Sequence, residues 1–217
     1  MPVKDNREYR KFTGMMEVRA AAPESDEKIV EGYATTFNEE YELFRDGNYI
    51  MMESVDSHAF DECDLSDVIL QFDHEGRVFA RISNGTLAVN PDDHGLFVRA
   101  NLGGTEIGRQ LYEEIKGGYV TKMSFGFHVS AQERTVEERT EDGITWEIIH
   151  RKITGINKLY DCSVVSLPAN DATCISCRNV SDGLIREVQA ERQAEEARRK
   201  QLKRISILLE LNGGNEQ

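Results

Sequence analysis

A serine flanked by large apolar residues, in the run Lys122-Met123-Ser124-Phe125-Gly126-Phe127, is the position in this chain whose type and setting best suit covalent chemistry. The run reads as a β-strand, in which successive side chains point to opposite faces. Met123, Phe125, Phe127 and Val129 would then fill a core while Ser124, Gly126 and His128 share the other face. On that pattern Ser124 is displayed, not buried. A glycine inside a strand marks a place where a ligand or a second chain comes close to the backbone, so Gly126 beside Ser124 suggests a substrate groove.

A serine hydroxyl becomes a nucleophile only when a base takes its proton, and the base needs an orienting group. Five histidines are available. His128 shares the face of Ser124 but lies four residues along the strand, roughly 13 Å away and out of hydrogen-bond reach. His94 falls in a hairpin turn, His150 in an alternating strand and His58 just after a helix cap, all places where a polar residue needs no further reason. His74 differs, because the buried-strand run 68–72 ends in Asp73-His74-Glu75-Gly76, and strand ends are where scaffolds present functional groups. For the orienting group, Asp161 stands out within the strongly β-forming run 158–167, where a carboxylate belongs only if exposed or paired. There it can accept a hydrogen bond from the histidine and fix its tautomer. A solvated turn histidine and a solvent-facing aspartate are the plain alternatives.

The elements that must bring these residues together are mostly strands. Alternation and turn clusters predict strands over 28–37, 49–53, 68–72, 78–82, 86–90, 96–102, 121–132, 144–153 and 158–167, a number that suits a barrel or a sandwich. Ser57 predicts a short capped helix through Cys63. Thr105 caps a stronger one, in which Ile107, Leu111 and Ile115 recur every fourth residue until Gly117-Gly118 stops it. Residues 1–27 read as a flexible arm with one edge strand at 15–19, and residues 28–180 as the folded domain. The segment 181–217 reads as a charged helical tail: between Ala190 and Gln201 only Ala194 and Ala197 are apolar. A helix polar all round has little to hold it on a core. It is either a solvated tail or a detachable, partner-binding arm.

The 217 residues carry a net charge of −13, and from Ser181 onward seven basic residues balance seven acidic ones, so the first 180 hold the whole excess. Such acidity repels phosphates and argues against nucleic-acid binding. No run of 18 apolar residues exists to cross a membrane, and the first residues lack the apolar stretch of a secretory signal, so a cytoplasmic protein is expected. All four cysteines, Cys63, Cys162, Cys174 and Cys177, are expected as reduced thiols. Cys174 and Cys177 have the spacing of a zinc or redox pair but no second pair beside them, so neither metal nor cofactor is expected.

Taken in order, Glu31-Gly32-Tyr33-Ala34, Phe72-Asp73-His74-Glu75, the hairpin 87–96, the helix ending in Gly117-Gly118, Met123-Ser124-Phe125-Gly126-Phe127 and the run from Leu159 to Asn170 resemble the prohead proteases of tailed phages. The likeness covers about residues 29–172, and several motifs in order are more specific than any one. It implies a mainly β, α+β fold similar to the herpesvirus capsid-maturation protease: a closed or nearly closed β-barrel surrounded by a few helices, here with the charged C-terminal helix appended. It implies Ser124 as nucleophile, His74 as base and Asp161 as third member, where many relatives carry Glu. The implied substrates are the scaffold and major capsid protein of an assembling phage head in the host bacterial cytoplasm, with self-cleavage and homo-oligomerisation left open. Two other readings stand beside it: a non-enzymatic capsid assembly module built from the barrel and the C-terminal helix, and a small redox or metal domain around Cys174 and Cys177.

Overall fold

The two longest strands of the protein form a single antiparallel hairpin, and nearly everything else is arranged along its edges. The structure, a computed structural model, describes residues 7–18, 27–166 and 185–203. The chain divides into two units, Met1–Arg178 and Asn179–Gln217. In order, the first contains β1 (Glu8–Val18), β2 (Ile29–Thr36), β3 (Tyr41–Asp46), β4 (Tyr49–Val55), β5 (Ile69–Phe72), β6 (Glu75–Arg81), a 3₁₀ turn (Ile82–Asn84), β7 (Leu87–Pro91), β8 (Gly95–Asn101), α1 (Glu106–Lys116), β9 (Lys122–Glu141) and β10 (Ile144–Val165). The second contains, among the described residues, one helix, α2 (185–203), polar between Ala190 and Gln201 apart from Ala194 and Ala197 as read from the sequence, with Val188 buried.

The strands make one sheet in the order β3-β4-β10-β9-β1-β2-β8-β7. One edge of β10 is shared: its first half pairs in parallel with β4 and its last turn of sequence, Asp161 to Val164, in parallel with β5, which in turn carries β6. The sheet curls into a half-barrel. It does not close, as a barrel would: β6 and β7 are linked through the 3₁₀ turn, where Thr86 donates to the Arg81 carbonyl at 3.2 Å, and no ladder joins them.

The apolar positions of the alternating strands meet inside the curl. Val30, Ala34, Leu70, Val98, Ala100, Met123, Phe125, Phe127, Cys162 and Val164 share one cluster with Leu111 and Ile115 of α1, each large side chain contributing about 1.5–3 kcal/mol by leaving water. Thr105 caps α1 as expected, accepting from the Gly108 N–H at 3.0 Å.

Three local expectations change. Residues 57–63 form successive tight turns and no helix. Asp56 takes the capping role, accepting from the His58 N–H at 2.9 Å, and the chain bends so that Ala59 and Phe60 reach the core. Residues 144–165 are one strand and not two, because Gly155 and its neighbours make register shifts that bend β10 without ending it. A Cβ on Gly155 would lie 2.8 Å from the Ser130 hydroxyl and 3.1 Å from the Ala131 Cβ, so β9 approaches closely there and the Ser130 side chain would have to turn to admit one.

The third change concerns residues 8–18. They form a strand between β9 and β2, where an arm with one edge strand was expected. Polarity misled the reading, since Glu8 and Arg10 are charged yet Arg10 is 1 % exposed. Its guanidinium meets Glu8 and Glu53, and Arg151 completes a buried four-charge cluster.

Candidate active site

His74 is presented by a two-residue turn. Phe72 pairs with Glu75, so Asp73 and His74 alone connect β5 to β6. Both are left-handed, with φ of 47° and 62°, the pattern of a two-residue hairpin turn that normally favours Asn-Gly. Non-glycine residues held there cost of order 1–3 kcal/mol. Contacts to β10 offset that cost: the Asp73 N–H donates to the Val164 carbonyl at 3.0 Å, and the Asp73 carboxylate accepts from the Ser166 N–H at 3.0 Å and the Ser166 hydroxyl at 2.8 Å.

Ser124 and Asp161 come from neighbouring strands. Along the β9–β10 ladder Ser124 faces Ser163 and Gly126 faces Asp161. Simple alternation would put Asp161 on the core side with Leu159. A register shift between Leu159 and Asp161 leaves Tyr160 without a partner and turns Asp161 onto the face of Ser124, the re-aiming for which bulges beside functional sites are known.

The three side chains meet. The His74 Nδ1–H donates to Asp161 Oδ2 at 2.6 Å, and His74 Nε2 is hydrogen-bonded to the Ser124 hydroxyl. With a carboxylate on Nδ1, that nitrogen carries the proton and Nε2 is left as the acceptor, the tautomer that can deprotonate a serine. Asp161 Oδ2 also accepts from the Ser163 hydroxyl at 2.8 Å. The Ser124 hydroxyl has a second acceptor, the Arg10 carbonyl of β1 at 2.7 Å, which competes with the imidazole for its one proton.

A family description of caudovirus prohead serine proteases matches residues 15–186, a stretch that contains all three side chains. This chain belongs to that family. No curated protein and no solved structure matches it. Serine proteolysis in capsid maturation is therefore the activity that the residues of this prohead protease have to serve.

In the prohead protease Ser124 is not displayed on an open face, as alternation alone suggested: it is 0 % exposed, and the His74 side chain is 11 % exposed. Alternation put Ser124 on the right face, but β1 runs beside it and the Tyr9 ring packs edge-on against the His74 ring with centroids 4.5 Å apart. The other histidines lie elsewhere. His58 contacts Asp61, His94 packs on Tyr33, His128 meets Asn157 and His150 meets Glu40. Cys162 is buried in the core, where burial raises its thiol well above the usual range, and burial likewise pushes Cys63 up to about 11. Cys174 and Cys177 lie outside the described residues.

Gly126 has a reason different from the expected open groove. A Cβ there would lie 2.4 Å from Asp161 Oδ1 and 2.8 Å from the Tyr9 ring, so the space above the glycine holds the carboxylate that orients His74. Gly126→Ala is expected to push Asp161 off Nδ1 and slow cleavage about 10²-fold, while overpacking costs about 1–3 kcal/mol. Cleavage rates and urea midpoints measured side by side separate the two effects. An alanine variant with the wild-type rate would show that Asp161 does not need this position.

Sequence reading did not single out Ser163, Tyr9 or the Arg10 carbonyl. Ser163 left one trace, its two-residue spacing from Asp161, which puts both on one strand face.

Proposed function

We propose that the chain is a serine endopeptidase of the assembling phage head that uses Ser124 as nucleophile, His74 as general base and acid, and Asp161 as the group that orients and charges-balances the imidazole. Its substrates are the scaffold and major capsid proteins, and it also cuts itself. The continuous hydrogen-bonded line from Asp161 through His74 to Ser124 supports this reading more than any other observation.

In acylation, Ser124 Oγ bonds to the peptide carbonyl carbon while its proton passes to His74 Nε2. The imidazolium then gives that proton to the departing amine as the C–N bond breaks. Water attacks the acyl-enzyme with His74 again as base, releasing a carboxylic acid and restoring the serine. Asp161 stabilises the imidazolium in both halves. A protein substrate cannot touch a fully covered hydroxyl, so entry requires both covers to move, the Tyr9 ring off His74 and the Arg10 carbonyl of β1 off the Ser124 hydroxyl.

Incubating purified chain with scaffold and major capsid proteins tests the reading. Shorter products are expected on a gel, pre-treatment with a fluorophosphonate probe is expected to prevent them, and peptide mass spectrometry is expected to place the probe on Ser124. Cleavage that persists after complete labelling, or labelling at another serine, would overturn it. The assembly-module alternative predicts no products at all.

A further inference from the structure

We infer that Ser163 is a positioning residue for the His74–Asp161 pair, a fourth member that acts through the other two without touching substrate. The inference rests on the proposed roles of Ser124, His74 and Asp161. Ser163 is 0 % exposed on β10, directly opposite Ser124 in the β9–β10 ladder and on the same strand face as Asp161. Its hydroxyl carries one proton and two lone pairs, and both capacities are committed. The proton goes to Asp161 Oδ2 at 2.8 Å, and a lone pair accepts the backbone N–H of His74 at 3.2 Å.

These two bonds tie groups that no short stretch of chain holds together. Asp161 Oδ2 receives the His74 ring and the Ser163 hydroxyl on the same oxygen, so the serine fixes which oxygen faces the imidazole. The bond from the His74 main chain fixes where the base enters. That residue sits in a strained left-handed turn, and Ser163 grips it at the residue that does the chemistry while Ser166 grips Asp73 beside it. A bond network confined to a buried, low-dielectric face holds angles more strictly than a solvated one. Without the hydroxyl, Asp161 loses its second donor and the turn loses the clamp on the His74 main chain. Both changes let the imidazole drift relative to Ser124 Oγ, and neither alters the surface that substrate meets.

Labelling kinetics of the full-length chain with a fluorophosphonate probe test this, because they resolve the maximal acylation rate from the half-saturating probe concentration. Ser163→Ala is expected to lower the maximal rate by up to about 10²-fold with half-saturation within about twofold of wild type, and to remove or shift the far-downfield proton resonance of His74 Nδ1–H. Ser163→Thr, which restores the hydroxyl, is expected to recover most of the rate. Ser163→Cys, with a weak donor of similar size, is expected to fall between and serves if the alanine form does not fold. A maximal rate and Nδ1–H resonance unchanged in Ser163→Ala, or in Ser163→Cys, would overturn the inference, as would a threonine form no faster than the alanine one. Ser124→Ala measured beside them separates the layers: if it still takes up probe, the nucleophile assignment itself fails, whereas a silent Ser124→Ala beside a wild-type-like Ser163→Ala removes the role of Ser163 alone.

Discussion

Alanine in place of Ser124 is expected to lower turnover about 10⁶-fold, and asparagine in place of Asp161 about 10⁴-fold, with the fold intact in both. The first removes the hydroxyl proposed to form the acyl bond. The second keeps the shape and removes the charge. In the native site Asp161 Oδ2 accepts two bonds, from His74 Nδ1–H and from Ser163. With its oxygen at the place of Oδ2 an asparagine keeps both bonds but loses the negative charge that balances the imidazolium, and with its NH₂ there it faces the ring with a donor, which makes Nδ1 an acceptor and puts the ring proton on Nε2, facing Ser124. A base already protonated at that nitrogen cannot take the hydroxyl proton. Steady-state cleavage of capsid protein checks both variants. An Asp161→Asn rate within tenfold of wild type would mean that His74 keeps its tautomer by other means.

The largest stability effect is expected at Glu53, on the core side of β4. Its carboxylate is 0 % exposed and accepts from Arg10 at 2.9 Å, from Arg151 at 2.8 Å and from the Tyr41 hydroxyl at 2.6 Å. Glu8 completes the cluster through Arg151 at 2.8 Å and through Arg10, so two guanidinium groups face two carboxylates. Glu53→Gln keeps the volume and leaves two buried cations with one anion, a loss of about 3–5 kcal/mol from a total of about 5–15. The exposed pair Glu42–Arg45 provides the contrast: Glu42→Gln is expected to change stability by no more than about 1 kcal/mol. Urea midpoints measure both, and equal midpoints would mean that the buried cluster contributes nothing special.

The same cluster predicts a pH dependence. Burial pushes the Glu53 carboxyl upward, but the charge and hydrogen bonds of Arg10, with Arg151 and Tyr41, outweigh it and hold the group below its ordinary value of 4.5. Glu8 is lowered too, its burial outweighed by the hydrogen bond and charge of Arg151 and the charge of Arg10. A carboxyl more acidic in the folded than in the unfolded chain stabilises fully above the unfolded value and loses that contribution as pH falls through the folded one. Stability should therefore decline below about pH 4.5, and less steeply in Glu53→Gln, which has one such group fewer.

Much of this was legible because it depends on local patterning. Met123, Phe125 and Phe127 are all 0 % exposed, as period-two alternation requires, and Thr105 and the spacing of Leu111 and Ile115 marked α1 before any coordinates. His74 was legible as a polar residue closing an apolar strand. Less legible was anything settled by a neighbour distant in sequence. Charged Glu8 and Arg10 look like solvent-facing residues until Glu53 and Arg151, 43 and 143 positions away in their longest pairings, are brought against them. Ser57–Cys63 has a helix cap and a fair helical composition, yet Ala59 and Phe60 are drawn into the core and the segment turns instead. The half-barrel stays open because β6 and β7 form no ladder: across the link 82–86 the Thr86 N–H donates to the Arg81 carbonyl and the pairing goes no further.

By itself the sequence determined which residue types were available for chemistry, the strands and helix that carry them, and the face of β9 on which Ser124 lies, because these follow from side-chain alternation and helical spacing within a few residues. Only the tertiary structure decided that Asp161 reaches that face, that Gly126 makes room for its carboxylate, and that Tyr9 and the Arg10 carbonyl cover the serine. Parity along a strand is reversed by a single unpaired residue, here Tyr160. Whether that residue bulges is set by the competition between ladder bonds and side-chain packing across two strands, which no local stretch of sequence contains.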